Sequence, residues 1–404
     1  MTTTEFPEFP MPRAAGCPYD PPPALHALLR ADPITRVRLW DGSTPWLVTR
    51  YADQRALLAD PRMSSDPGQP GYPSPLAVDR RASTISFILM DDPEHARLRR
   101  MVMAPFTVRR VETMRPAVQR IVDDLTDALL AGPTPVDLVP AFALPVPSLV
   151  ICMLLGVPYA DHDFFQRQSQ TIINRDTTPE QRGEAMGALV GYLDGLVGDK
   201  LASPSDDLLS GLAERVRAGE LTRPEAAQMG MLLLIAGHET TANMIALGTL
   251  ALLENPDQLA LLRAAADPVV VAGAVEELLR YLNITHTGRR RTALTDIEYA
   301  GQIIRAGEGV IFPNDVANRD PGAFAGDPDR LDLRRDSRRH IAFGYGVHQC
   351  LGQPLARLEL QVVYGTLYRR IPTLRLAVDR ARIPFKHDGS VYGVYELPVT
   401  WSTT

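Results

Sequence analysis

Cys350 sits in the string Phe343-Gly344-Tyr345-Gly346-Val347-His348-Gln349-Cys350-Leu351-Gly352, just ahead of a helical run whose first turn holds Pro354. A thiol in that place can work as a thiolate, because a helix N-terminus presents unpaired N–H groups and a partial positive charge. Proline suits a first helical turn. Gly344 and Gly346 permit backbone angles that a side chain forbids, and let something flat come close. On these residues alone three readings stand: a structural cysteine, a nucleophile, or an axial metal ligand. A nucleophile needs a base and oxyanion donors. His348 is near in sequence, yet no local nucleophile signature is matched.

A second group of polar residues interrupts the apolar run "LLLIAGHETTANMIAL" with Gly237, His238, Glu239, Thr240 and Thr241. Buried charge is costly unless it has a partner or a task. The plain readings are a threonine hydroxyl bonded back to the carbonyl four residues earlier, and a glutamate paired with an arginine. Gly237 weakens a helix and leaves room for a ligand against the backbone. His238 faces elsewhere on the helix and reads as structural or solvated.

The cysteine string fills every fixed position of the haem-binding loop of the cytochrome P450 enzymes, and Ala236–Thr241 resembles the oxygen-activation motif of their central helix. The resemblance runs from "PWLVTRYADQRALLADPRMSSD" to the terminal strands, and it is to the soluble bacterial, actinobacterial-type branch. It implies a mainly α fold with small β-sheets, in which a long central helix lies over haem b (Fe protoporphyrin IX). Cys350 would be the thiolate ligand of the iron, in a loop shaped by Phe343, Gly344, Gly346 and Gly352. Thiolate donation favours O–O cleavage, and loop N–H groups would temper it. Thr240 would hold a water by hydrogen bonds, and Glu239 would relay protons from solvent. His348, together with His95 and Arg99 of "His95-Ala-Arg-Leu-Arg99", would contact the haem propionates. Arg291 of "RRRTALTDIEYAG" would do the same, with Arg289 the next choice in that register.

Glu277 and Arg280 in "EELLRY" lie three apart and share a helix face. Most such pairs are surface pairs worth little. The resemblance makes this one the family's Glu–Arg pair, closed by Arg330 of "DPDRLDL", with a structural role. For the substrate no motif speaks. The pocket is expected to be lined by Ile85, Phe87, Ile88 and Leu89, by Leu233, Ala236, Gly237 and Thr240, by Ile284 and Thr285, and by Val391 and Tyr392. That lining is mostly apolar and suits a hydrophobic small molecule, such as a macrolide, polyketide, terpenoid or drug-like xenobiotic of secondary metabolism.

The implied activity is a monooxygenase that hydroxylates or epoxidises with O2. No flavin domain and no further iron–sulfur cysteine set is present in the sequence, so electrons are expected from a ferredoxin and its NAD(P)H-dependent reductase. Arg97, Arg100, Arg334, Arg335, Arg338 and Arg339 are expected beside the cysteine face, where an acidic ferredoxin would dock. A peroxygenase or nitric oxide reductase is the alternative within the fold, disfavoured by Glu239 with Thr240. A haem sensor without turnover, or more remotely a cysteine hydrolase, is the alternative outside it.

The elements that must position these residues are mostly helical. "LTRPEAAQMGMLLLIAGHETTANMIALGTLALLEN" reads as one long helix with a capping box at Thr222 and Glu225. Its length, without a heptad seam and with polar residues in the middle, suits the centre of a large domain. "ITRVRLW" and "PWLVTRY" alternate like strands around the turn "DGST". Residues 67–86 read as a loop, and a strand pair is expected around "HDGSVYGVYELPVTW". The first residues, 1–22, are rich in proline and are expected to wrap the surface. The chain has 404 residues and 45% apolar composition, ample for a core. It shows no linker or repeat, so a single domain over 1–404 is expected. A net charge of −6 speaks against nucleic acid or an anionic membrane as partner. Three scattered cysteines do not make a disulfide framework. The start has no signal-peptide pattern and no stretch is long enough to span a bilayer, so a cytoplasmic protein is expected.

Overall fold

Arg223–Glu254 forms one helix of 32 residues. Thr222 starts it: its hydroxyl accepts from the Glu225 N–H, and the Glu225 carboxylate accepts from the Thr222 N–H. Asn255 ends it just ahead of Pro256. From Thr241 to Leu252 every residue is buried, so this half of the helix is enclosed on all sides and runs through the core. The computed structural model describes residues 6–14, 16–74, 86–173, 177–285, 287–387 and 391–402.

Helices Pro145–Leu155, Pro179–Ala202 and Gln353–Arg370 pack directly on this central helix. Two tyrosines rivet the helix that follows Cys350 to it. The Tyr364 hydroxyl donates to the Met244 carbonyl at 2.5 Å, and Tyr368 bonds Thr249 at 3.1 Å. The cysteine loop and the Glu239–Thr240 turn are therefore fixed relative to each other through buried hydrogen bonds, not through loops. One hydrophobic cluster runs from Tyr19 to Trp401 and includes all four helices.

A five-stranded sheet lies beside the helices in the order Ile34–Arg36, Trp46–Val48, Gly309–Phe312, Arg289–Ala293, Met63–Ser64. Trp46–Val48 and Gly309–Phe312 are parallel; the other pairs are antiparallel. The two expected N-terminal strands are present but short. Arg289–Ala293 is an inner strand, with Arg291 opposite Val310 and Thr292 opposite Ser64. Alternation along a strand puts Arg289 and Arg291 on one face and Arg290 on the other.

The expected terminal strand pair is smaller than the sequence suggests. Pro398–Thr400 joins Val136–Asp137 and Arg375–Leu376 in a three-stranded sheet. Ahead of it, Phe385 bridges Val394 and Val391 bridges Thr285. The N-terminal segment does more than wrap the surface. Phe9, Met11 and Tyr19 are buried, Glu8 bridges Arg38, and Arg13 pairs with the buried Asp315 at 3.5 Å. Proline-rich spacing hid this, because irregular backbone carries no periodicity to reveal its buried face. Among the described residues, no helix is long and apolar enough to cross a membrane.

Candidate active site

The cysteine loop folds as the glycine spacing requires. Gly344 and Gly346 have φ of 79° and 77°, and a β-carbon on Gly346 would collide with the Leu58 carbonyl. The loop closes on itself through Cys350 N–H to the Phe343 carbonyl at 2.8 Å, and Gln349 N–H to the Gly346 carbonyl at 3.0 Å. Gly352 caps the helix Gln353–Arg370, and its N–H donates to the Cys350 sulfur. Cys350 lies deep in the molecule and yet has exposed surface. The two facts agree if the sulfur faces an internal space. Burial raises the thiol's pKa; the Gly352 N–H and the guanidiniums of Arg289, Arg99 and Arg357 act the other way.

Polar atoms without partners lie beside the loop. His348 and His95 pack ring against ring, tilted by 36° with centroids 4.1 Å apart. His348 Nε2 lies 2.8 Å from the Ser65 hydroxyl, and His95 Nδ1 lies 3.1 Å from Asp92. His348 Nδ1 and His95 Nε2 are buried with no partner. Burial, with Arg291 next in effect, holds His348 down to about 3, so both ring nitrogens cannot be protonated there at neutral pH. Arg99 donates to the Gln349 carbonyl at 2.7 Å. Arg291 is buried and donates to the Arg290 carbonyl at 2.7 Å. Arg289 donates to the Ala342 carbonyl at 2.9 Å through Nη2, while its Nη1 is buried without a partner. Burial holds Arg289 down to about 10. The two arginines share a strand face, and Arg289 is the one whose charge acts on the Cys350 thiol.

This donor set has a definite chemistry. Among the described residues no three His, Cys, Asp or Glu side chains gather as a metal site. A lone sulfur ligand, ringed by buried donors from three separate segments, suits an anionic group that brings most of its own metal coordination. A haem has that form, with carboxylates for the donors and an iron for the sulfur.

On the central helix, Ala236 and Ile235 are exposed although the helix is buried on both sides of them in the chain. The Thr240 hydroxyl donates to the Ala236 carbonyl at 2.7 Å. A hydroxyl that donates once still offers two lone pairs, so Thr240 can accept a bond from a water there. Glu239 lies one residue before it, 3.6 Å from the ammonium of Lys386. Burial pushes the Glu239 carboxyl up, and Lys386 opposes that shift. His238 is buried, bonded to the Leu144 carbonyl, and held down to about 4 chiefly by burial. It is a neutral structural residue, as its place on the helix suggests.

That burial has an expected consequence. An unfolded histidine takes up a proton near 6.5, whereas folded His238 does so only near 4. Between those values the unfolded state binds more protons, so stability falls as pH falls through that window. The full effect is about 3 kcal/mol. Melting temperatures of wild type and His238→Asn at pH 7 and pH 5 check this: the variant should lose less stability on acidification. An equal loss in both would show that His238 is not neutral in the fold.

The Glu277–Arg280 pair is fully buried, with Arg280 Nε 2.7 Å from Glu277 Oε2 and Nη2 2.8 Å from Oε1. Its third member is not Arg330. That residue is exposed and contributes only its carbonyl to Arg280 at 3.4 Å. Arg335 takes the place, with Nε 3.3 Å from Glu277 Oε1 and a side chain 9% exposed. The turn that bonds Arg335 N–H to the Asp332 carbonyl brings it back to the pair. Arg335 is therefore also no part of an exposed arginine face. Of the others in that set, Arg97 is paired with Glu94, Arg338 with Asp336, and Arg339 bonds the Ala323 carbonyl, while Arg100 and Arg334 are exposed.

The expected pocket residues divide. Ile85 lies outside the described residues. Phe87, Leu233 and Tyr392 are packed into the core. Tyr392 lies under the Arg13 guanidinium at 4.2 Å and stacks on Phe385, so it supports a wall instead of forming its surface. Ile88, Leu89, Ala236, Gly237, Ile284, Thr285 and Val391 retain accessible surface. The Thr285–Val391 bridge and the Tyr392 N–H bond to the Ile284 carbonyl at 2.8 Å bring the two distant segments together.

Comparison with known proteins places the chain among close relatives. The family model "Cytochrome P450" matches residues 194–372. Cytochrome P450 GfsF of Streptomyces halstedii is 59% identical over 401 residues, covering 98% of this chain and 97% of that protein. The crystal structure of GfsF superposes with a TM-score of 0.95, over 98% of this chain and 100% of that one. The 20-oxo-5-O-mycaminosyltylactone 23-monooxygenase of Streptomyces fradiae is 44% identical over 391 residues, 96% of this chain and 92% of that protein. The mycinamicin VIII C21 methyl hydroxylase MycCI of Micromonospora griseorubida, solved bound to mycinamicin VIII, is 43% identical with a TM-score of 0.88, over 98% and 100% of the two chains.

Proposed function

Because this chain belongs to the cytochrome P450 family, whose relatives include named monooxygenases and hydroxylases, we propose that it is a haem-thiolate monooxygenase acting on a hydrophobic, macrolide- or polyketide-sized molecule. One observation carries the reading: Cys350 lies deep in the molecule yet keeps exposed surface, with buried unpartnered nitrogens of His95, His348 and Arg289 on the segments around its loop. Cys350 would hold the iron. His95, Arg99, Arg289, Arg291 and His348 would hold the propionates, and Phe343, Gly344, Gly346 and Gly352 shape the loop. When bound, haem b supplies the binding and reductive activation of O2.

The chain's own residues do the rest. The Gly352 N–H holds electron density on the sulfur. The Ala236–Thr240 turn would form the wall opposite, where the Thr240 hydroxyl orients a water by accepting its hydrogen bond. Glu239 takes up protons and passes them toward that water. The apolar surfaces of Ile88, Leu89, Ile284 and Val391 would exclude bulk water and hold the substrate. Electrons would come from a ferredoxin and its reductase. Arg100, Arg334, Arg338 and Arg339 are the exposed cations of the arginine set that fit an acidic docking partner, Arg338 already sharing its charge with Asp336.

The substrate class is supported by the relatives' named ligands and by the apolar lining. Spectral titration of the purified protein against a library weighted to macrolides tests it; no response to any macrolide or polyketide, with a response to small terpenoids, would overturn the size class. Thr240→Ala is expected to keep substrate binding but to divert reductant into hydrogen peroxide, because the water it orients is lost. Product, peroxide and NAD(P)H consumption measured side by side check this. A fully coupled variant would leave Thr240 with only its bond to Ala236.

A further inference from the structure

Lys386 is one of only two lysines in the chain, and it lies far in sequence from every motif of the site. Its ammonium sits 3.6 Å from Glu239 Oε1 with a side chain 12% exposed. The hairpin that carries it is fastened to the same helical turn by a second route. Lys386 N–H donates to the Gly393 carbonyl at 2.9 Å. Gly393 packs so closely on Asn243 that a β-carbon would overlap it. Asn243 in turn donates to the Glu239 carbonyl at 2.8 Å. Two contacts one helical turn apart thus register the ammonium against the carboxylate.

Glu239 also borders a cavity of about 20 Å³, shared with Ser169, Ile172, Leu189 and His238. That is room for a single water. The Ser169 hydroxyl is buried and without a partner, and a buried hydroxyl seldom stays so. Glu239 therefore stands between a fixed cation and a site where water can meet a free hydroxyl.

We propose that Lys386 is a positioning residue for proton delivery: it holds Glu239 as a carboxylate against the C-terminal hairpin, from which the acid collects each proton at the water site beside Ser169. The proposal rests on the monooxygenase reading above. A proton arriving from solvent converts the carboxylate to a carboxyl and loosens it from the ammonium. The carboxyl hands that proton toward the water at Thr240, and the carboxylate re-forms its pair. Lys386 keeps its own protons throughout. An acid that loads and unloads in each turnover needs a proton affinity near the working pH. Burial raises the proton affinity of Glu239, and Lys386 opposes this. The other groups facing Glu239 do not replace Lys386: Arg182 of the helix Pro179–Ala202 acts more weakly, and His238 is neutral.

The haem-loaded protein and its Lys386→Met, Lys386→Arg, Glu239→Gln and Lys386→Met/Glu239→Gln variants test this, using a surrogate ferredoxin system and any library compound that gives a binding spectrum. Lys386→Met should slow reductant-coupled turnover about tenfold or more and raise the solvent deuterium isotope effect. Lys386→Arg should restore most of the rate, and the double variant should be no slower than Glu239→Gln. Ser169→Val, which fills the cavity, should also raise the isotope effect. A Lys386→Met rate within twofold of wild type, or multiplying effects in the double variant, would overturn the role of Lys386; an unchanged isotope effect in Ser169→Val would remove the water site. A readout without turnover is the melting-temperature coupling of positions 239 and 386 between pH 5 and 8. It should be present at pH 8 and fade on acidification, and its absence overturns the pair. If the wild type itself shows no thiolate spectrum, the monooxygenase reading fails, while this coupling still decides the pair.

Discussion

Cys350→His protein, reduced and saturated with carbon monoxide, is expected to lose the strongly red-shifted Soret band of thiolate ligation while retaining some haem. The loss should be complete, because no other thiol can substitute. Cys152 is buried in the apolar core, which pushes it up to about 12. Cys17 is occupied as a donor to Asp20 at 2.9 Å, and burial raises it as well. Cys350 alone of the three is exposed, with the Gly352 N–H aimed at its sulfur and the guanidiniums of Arg289, Arg99 and Arg357 favouring its thiolate. Haem should be partly retained because the buried donors of His95, His348 and Arg289 do not depend on the sulfur. An unchanged band in the variant would sink the assignment of Cys350.

Glu277→Ala should yield little soluble, haem-loaded protein. The carboxylate accepts from Arg280 twice, from Arg335, from the Asp332 N–H at 3.0 Å and from the Ser337 hydroxyl. Arg280 adds bonds to the Asn318 and Pro328 carbonyls at 2.9 and 2.8 Å. Removing one member strands the other charge in the interior, at about 3–5 kcal/mol, against a total stability of roughly 5–15 kcal/mol. The graded series separates this from general fragility. Arg335→Ala removes one bond to Glu277 and those to the Ala325 and Asp327 carbonyls, and should cost about 1–3 kcal/mol. Arg330→Ala leaves its carbonyl in place and should stay within about 0.5 kcal/mol of wild type. Denaturant midpoints on the three holoproteins check the order. A wild-type-like Glu277→Ala, or an Arg330→Ala worse than Arg335→Ala, would contradict it.

What the sequence revealed were the features whose geometry is local. The Thr222–Glu225 cap, the three-residue spacing of Glu277 and Arg280, and the turn shaped by Gly344 and Gly346 each involve residues a few positions apart, where backbone geometry dictates the contact. What it hid were contacts between segments distant in the chain. Arg330 and Arg335 are equally plausible partners of Glu277 until the turn at Asp332 is known. Arg289 and Arg291 lie on one strand face, so a motif register alone cannot choose between them. Nothing near Lys386 hints at Glu239, because the hairpin that joins them is defined by packing against Asn243 and not by a pattern. Tyr392 is expected on the pocket surface and instead packs into the core, since a one-residue step reverses a side chain.

The buried N-terminal segment has a consequence for anyone who re-engineers this chain. Arg13 bonds the Asp20 carbonyl at 2.6 Å, pairs with Asp315 and covers Tyr392, while Tyr392 is tied to Ile284. Residues at the two ends of the polypeptide are therefore joined in one clasp. A shortened N-terminus would be felt more than three hundred positions away, in the hairpin that bears both Val391 and Lys386. A purification handle placed ahead of the first residue is harmless only if its junction leaves residues 6–20 free to seat. Circular permutation that joins the old ends and opens the chain elsewhere would keep the clasp intact only with a joining segment long enough to preserve both strands of it.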